Sequence, residues 1–298
     1  MIIDVHAHLA FHKIFPEKFL AGVAEPLVPS GGEDEKQFLV RLIENGLKDN
    51  TGDVLLDNMN QAGIDKSVLL IADFGYALGE PELSLEQIYS LHYDVKQRHP
   101  DRFMVFGGVD PRRGVEGFDL FEKAIREYGF SGLKLYPPCG FELDDKSIFP
   151  LYELCDAYKI PVLSHTGPSL SSMVTEKDYP KSILKVSRQF RNVNFILAHA
   201  GARDQENTIS IANQRENVFF DISTFQALAA NESEWQHWFR KFLDKCPDQI
   251  LFGTDWPMFL LSMTQKQLVQ MIDLIPNLSS AERDKILYKN ACRILNIC

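Results

Sequence analysis

The chain has 298 residues, 45% of them hydrophobic and 24% charged, the balance of an ordinary water-soluble globular protein. Its 41 acidic side chains outnumber the 31 basic ones, for a net charge of -10, and no basic stripe breaks the pattern, which argues against a nucleic-acid or membrane surface as partner. Cys139, Cys155, Cys246, Cys292 and Cys298 are odd in number, scattered and never in C-x-x-C spacing, so a disulfide framework is not expected and a cytoplasmic location is.

In chain order, the first apolar run, "MIIDVHAH", ends on His6 and His8. Residues two apart in a strand face the same side, so this run presents two imidazoles side by side, with Asp4 below them. Seven further runs follow: "KSVLLIADF", "RFMVFGGVDP", "FSGLKLYPP", "IPVLSHTG", "VNFILAHAG", "NVFFDIS" and "QILFGTDWP". Each is short, apolar and closed by Gly, Pro, Asp or Ser, as strands buried on both faces are.

Helical patterns separate most of them. "LLDNMNQAGI" puts Leu55, Leu56, Met59 and Ala62 on one face. "SLEQIYSLHYDVKQRHP" opens on a Ser84 cap with Gln87 in capping-box position. "GFDLFEKAIREYGF" ends at Gly129, a C-cap, and the chain closes with a helix capped by Ser279 or Ser280. Strands and helices in alternation predict right-handed βαβ units, and eight strands in a chain of this length predict an α/β fold, a closed (β/α)8 TIM barrel forming one domain over residues 1–298. Residues from about 10 to 52 are too many for one loop and read as a lid-like insertion over the barrel mouth. The stretch after the eighth strand reads as loop before the final helix.

Barrel active sites lie at the C-terminal ends of the strands. Those positions hold His6 and His8 on strand 1, Lys134 on strand 4, His165 on strand 5, His199 on strand 6 and Asp255 on strand 8. Any one of them is compatible with a satisfied core residue. Together, neutral imidazoles and a carboxylate are what a divalent transition metal needs, and this donor chemistry suits zinc best.

The ordered motifs "DVHAH", "GLKLYP", "LSHTG", "LAHAG" and "GTDWP" resemble the amidohydrolase superfamily. Within it the chain is most similar to the amidohydrolase-related family that includes aminocarboxymuconate-semialdehyde decarboxylase and the resorcylate decarboxylases. The resemblance implies metal ligation by His6, His8, His165 and Asp255. It implies that His199 either binds a second ion or acts as a base. The "KLYP" around Lys134 resembles the dihydroorotase type, in which the lysine is carboxylated and bridges two metals; the alternatives are a free amine that binds substrate, or an ion pair with Asp110 or Asp255.

One or two divalent ions, zinc foremost, are therefore the expected cofactor. Metal-bound water has a pKa near 7 rather than 15.7, so hydrolysis of an amide, lactone or ester of a small polar molecule is the leading expectation, with Asp255 or His199 carrying the proton. The alternative is a lyase that decarboxylates an unsaturated or aromatic carboxylic acid on the same ligands. Lys134, Tyr136, Arg203 and Trp256 are the candidates for contacting substrate. The expected partner is a small molecule, with a homo-oligomer left open. A non-enzymatic metal protein would instead present a fully ligated, closed site.

Overall fold

A computed structural model describes residues 1–28, 32–174, 182–201, 204–225, 229, 231–258 and 263–297. All eight expected strands form: β1 Ile3–Ala7, β2 Lys66–Leu70, β3 Phe103–Gly108, β4 Gly132–Leu135, β5 Val162–Ser164, β6 Phe195–Leu197, β7 Val218–Asp221 and β8 Ile250–Leu251. They lie in one sheet in sequence order, every neighbouring pair parallel. Closure between the two ends uses the chain beyond the short last strand. Val5 N–H donates to the carbonyl of Phe252 (2.9 Å), Asp255 N–H to that of His6 (2.7 Å) and His8 N–H to that of Trp256 (2.7 Å). The result is the (β/α)8 barrel.

Alternation along each strand sorts the apolar side chains into two sets. Leu69, Val105, Leu133, Val162, Leu197, Phe220 and Ile250 pack with the helix residues outside the barrel. Val68, Leu70, Phe106, Leu163, Ile196, Phe219 and Leu251 form a second cluster inside, joined by Ile294 and Leu295 of the last helix. On β4 the inner place belongs to Gly132, where a Cβ would stand 2.5 Å from the Phe106 ring. The phenylalanine fills the layer there.

The helices start where the chain supplies caps. Ser84 and Gln87 make the reciprocal capping box ahead of Leu85–Arg98, and Gly129, with φ +64°, ends the helical stretch from Gly114. Ser279, rather than Ser280, caps the final helical region. One expectation fails: the segment after β8 is not loop throughout, because Thr264 and Gln267 form another capping box and start a helix, Gln265–Ile272. Its Gln265, Leu268, Val269 and Ile272 are buried, so packing on the barrel adds to the local signal.

The long segment after β1 carries two helices, Glu17–Ala24 and Glu33–Gly46. A bridge between Phe11 and Lys48 ties its ends together. The first helix sits against the strand-end loops: Phe19 stacks on Phe74 (4.7 Å between ring centres), and Leu170 fills the space beside Gly22. The second helix buries no side chain fully. Among the described residues no helix is long and apolar enough to cross a membrane.

Asp4 holds the seam between the first and last strands. Its fully buried carboxylate accepts from the backbone N–H of His6 (3.0 Å) and of Thr254 (3.0 Å), and from Thr254 Oγ1 (2.6 Å) and Gln265 Nε2 (3.4 Å). Burial pushes its pKa up to about 7, against the pull of those donors. The folded chain therefore holds this proton more tightly than the unfolded chain does. The stability gained from the protonated form is complete below about pH 4 and is lost as pH rises toward 7. Urea unfolding across that range should show the wild type losing stability with pH relative to Asp4→Asn, and a constant difference between the two would remove the buried, proton-binding carboxylate from this account.

Candidate metal centre

The site continues the inner rows of the barrel by one step. Lys134 follows Gly132 by two residues, His165 follows Leu163, Asp221 follows Phe219, and Asp255 follows Leu251 by four. A polar layer thus lies directly on an apolar one. Lys134, His6 and Asp221 are 2% exposed or less, and His165, His199 and Asp255 are buried as well.

Two groups of ligand atoms draw together, each within 4.8 Å: His6, His8 and Asp255, and His6, His199 and Asp221. In the first, Asp255 Oδ1 lies 3.3 Å from His6 Nε2 and 3.4 Å from His8 Nε2. The far nitrogens are occupied. His8 Nδ1 donates to the Leu70 carbonyl (2.9 Å), and His6 Nδ1 lies 2.9 Å from Asp221 Oδ2. A carbonyl can only accept, so His8 carries its proton on Nδ1 and turns a bare Nε2 inward. Imidazoles held from behind by a carboxylate and a carbonyl, with a second carboxylate in front, are the arrangement of metal-binding histidines. The donor set fits a divalent ion.

His165 stands in neither group. Its Nδ1 is 3.3 Å from His199 Nε2, and its own Nε2 is buried without a hydrogen-bond partner among the described residues. The Tyr136 ring lies flat on it, 4.1 Å away at 14°, with Phe74 edge-on behind at 4.9 Å. One face of Tyr136, read from sequence as a substrate contact, is therefore committed to His165. His199 Nδ1 meets Ser223 Oγ at 2.8 Å.

Burial holds His6 and His165 well below the ordinary histidine pKa, with Lys134 next in effect on His6 and His199 next on His165; burial lowers His199 too. Neutral imidazoles are the form that ligates metal. Asp255 is pushed up by burial, but the surrounding His6, His8 and His199 outweigh this and bring it below the usual carboxylate value.

Burial brings Lys134 down to about 8, opposed by Asp221 and Asp255. The ion pair with Asp110 or Asp255 does not form. Asp110 is taken by Arg112 Nε (2.8 Å), and no carboxylate among the described residues lies within ion-pair distance of Lys134. A further cation beside it would lower the amine more.

Trp256 is buried, with its indole nitrogen unpartnered among the described residues. Arg203 lies outside the described residues. Asp221 went unrecognised in the sequence, although it ends β7 as the other site residues end or follow their strands. Four non-glycine residues at this rim adopt left-handed backbone: His199 (φ +58°), Ala200 (+50°), Thr224 (+60°) and Asp255 (+56°). Such conformations cost about 1–3 kcal/mol each and gather at functional sites.

The amidohydrolase family model matches residues 3–297, and the chain belongs to that family. A 2-amino-3-carboxymuconate-6-semialdehyde decarboxylase of Dictyostelium discoideum is 29% identical over 118 residues, covering 38% of this chain and 33% of that relative. The match therefore spans about a third of the relative's length. Among solved structures, 4-oxalomesaconate hydratase from Rhodopseudomonas palustris superimposes with a TM-score of 0.66 at 19% identity, covering 99% of this chain and 96% of that one. A 5-carboxyvanillate decarboxylase from Novosphingobium aromaticivorans, solved with bound manganese, gives 0.67 at 15% identity, with 99% and 96% covered. At these identities the structural likeness establishes the barrel.

Asp255→Ala should abolish tight retention of a divalent ion while leaving the circular dichroism of the barrel unchanged. Elemental analysis after gel filtration reads the metal per chain, and an undiminished content would take Asp255 out of the donor set.

Proposed function

We propose that the chain is a metal-dependent lyase that removes carbon dioxide, without redox change, from a small unsaturated or aromatic carboxylic acid. The observation that carries this reading is Lys134, an amine 2% exposed, one step above the apolar layer, with no counter-ion among the described residues. A buried amine in that position calls for an electron-rich oxygen from outside the protein. Two of the similar proteins, both decarboxylases of conjugated acids, point the same way.

His6, His8 and Asp255, with His165 or His199 beside them, would hold the ion. When bound, it acts as a Lewis acid toward a substrate oxygen. Zinc is favoured by the donor types, and manganese is the metal of one relative.

Lys134 binds best to an oxygen conjugated with the carbon that loses carbon dioxide, where electron density collects. Gripping the departing carboxylate itself would stabilise the ground state more than the transition state, since that charge disappears. The balance is simple: a carboxylate and one proton give a C–H bond and carbon dioxide. His199 or Asp255, unprotonated at rest, takes that proton from water and relays it to carbon. The aromatic wall of Tyr136, Phe74 and Phe19 beside His165 suits a flat, conjugated molecule.

Hydrolysis of an ester, lactone or amide is the second reading. It is favoured by His199, whose neutral imidazole could take a proton from water. Carbon dioxide release from a panel of conjugated and aromatic acids, run beside a panel of esters, lactones and amides with the zinc- or manganese-loaded chain, separates the two. Turnover confined to the second panel would overturn the lyase reading.

For an active acid, Lys134→Met should lower kcat/KM by about 100-fold or more, the cost of truncating one partner of a buried charged pair. A change within about threefold would remove the lysine from substrate contact.

A further inference from the structure

We infer that Asp221 sets the tautomers of three imidazoles at once, placing the proton of His6, His199 and His165 on Nδ1 and leaving each Nε2 bare. The inference holds for either reaction above, since it concerns where protons sit before any substrate arrives.

The argument starts from donors that converge on one carboxylate. Asp221 Oδ1 accepts from the backbone N–H of His199 (3.1 Å), the backbone N–H of Ser223 (3.0 Å) and the Ser223 hydroxyl. Its Oδ2 faces His6 Nδ1 at 2.9 Å. An ionised carboxylate has no proton to give; of the two that flank this ring, Asp221 makes the hydrogen bond while Asp255 Oδ1 stands at 3.3 Å from Nε2, at ion-pair distance only, so the proton of His6 goes to Nδ1.

A serine hydroxyl has a single proton, and Ser223 gives it to Asp221. The oxygen can then only accept from His199 Nδ1 at 2.8 Å. The Ser223 carbonyl, 3.3 Å from the same nitrogen, is also an acceptor only, so both neighbours put the proton of His199 on Nδ1. His199 Nε2 is then a lone pair, 3.3 Å from His165 Nδ1, and His165 must donate across that gap. Its Nε2 is left bare. That nitrogen is buried without a hydrogen-bond partner among the described residues, in keeping with this chain of donors.

Ser223 and Asp221 are positioning residues in this scheme. In this role they act through the rings, deciding which ring nitrogens are available to an ion or a proton. The order has a physical advantage. Three neutral rings packed this closely could adopt eight tautomer combinations, and one carboxylate selects the combination in which every bare nitrogen is an Nε2.

Nitrogen-15 shifts of histidine-labelled, metal-free chain report tautomers directly, with no need for a substrate. The wild type should show His6, His165 and His199 protonated on Nδ1. In Asp221→Asn, the amide oxygen stays where two backbone N–H groups meet, so the amide NH2 faces His6. His6 should switch to the Nε2–H form, and affinity for zinc or manganese, read by calorimetry, should fall about 10- to 100-fold.

Ser223→Ala removes an oxygen 3.2 Å from His6 Nδ1 but leaves the shorter Asp221 bond, so His6 keeps its tautomer while the other branch loosens. His199 keeps only the distant carbonyl, and His199 and His165 should become tautomer mixtures. Ser223→Thr, which restores a hydroxyl, should return both to one form. An Nε2–H form on any of the three rings in the wild type overturns the inference. So does an Asp221→Asn chain with His6 and metal affinity unaltered, or a Ser223→Ala chain with His199 and His165 unmixed.

Discussion

The geometry of the rim depends on how the barrel closes. The last strand is two residues long, too short to complete a cylinder by regular pairing alone. The chain beyond it finishes the ring through backbone bonds to β1, and the Asp4 carboxylate locks that contact by bridging the His6 and Thr254 amides. The same bond that closes the ring, Asp255 N–H to the His6 carbonyl, sets Asp255 in front of His6 and His8. Closure and ligand geometry are one event, so the first and last segments of the chain cannot be optimised separately.

A second constraint is vertical. The inner layer of Leu70, Phe106, Leu163, Ile196 and Phe219 is a dry floor. Placing ionisable groups directly on it strengthens every interaction among them, because little water is present to screen it. The low floor dielectric keeps the imidazoles neutral and disfavours a charged lysine, and the two aspartates only partly offset this for Lys134. The candidate ligands and Lys134 are consequently coupled: an ion entering this layer would change the affinity of its neighbours for protons.

Much of this was legible in the sequence, for physical reasons that can be named. The eight strands stood out because buried parallel strands are short apolar runs closed by turn residues, and the helices at Ser84 and Ser279 because capping boxes have a fixed spacing. Thr264 and Gln267 carry that same spacing, but the buried face of the helix they start includes the polar Gln265, which weakens the apolar periodicity. His6, His8, Lys134 and Asp255 were visible as polar residues closing apolar strands. Asp221 was not, since an aspartate at a strand end also reads as a turn former; the two-residue step from Phe219 into the inner row is the signal that would have found it. The stacking of Tyr136 on His165 could not be read, because it depends on the rotation of two strands about their axes. Nor does sequence spacing reveal that His165 reaches the other histidines through His199 rather than directly.

The left-handed conformations of His199, Ala200, Thr224 and Asp255 have an evolutionary consequence. Each is a place where the chain would relax if a residue without a Cβ were substituted, so selection for heat resistance alone pulls these positions toward glycine. Three of them cannot yield without losing an imidazole, a carboxylate or the Thr224 hydroxyl that donates to the Ser223 carbonyl. Ala200 carries no such group. It is the position at which a lineage adapting to hotter surroundings can gain robustness without surrendering chemistry.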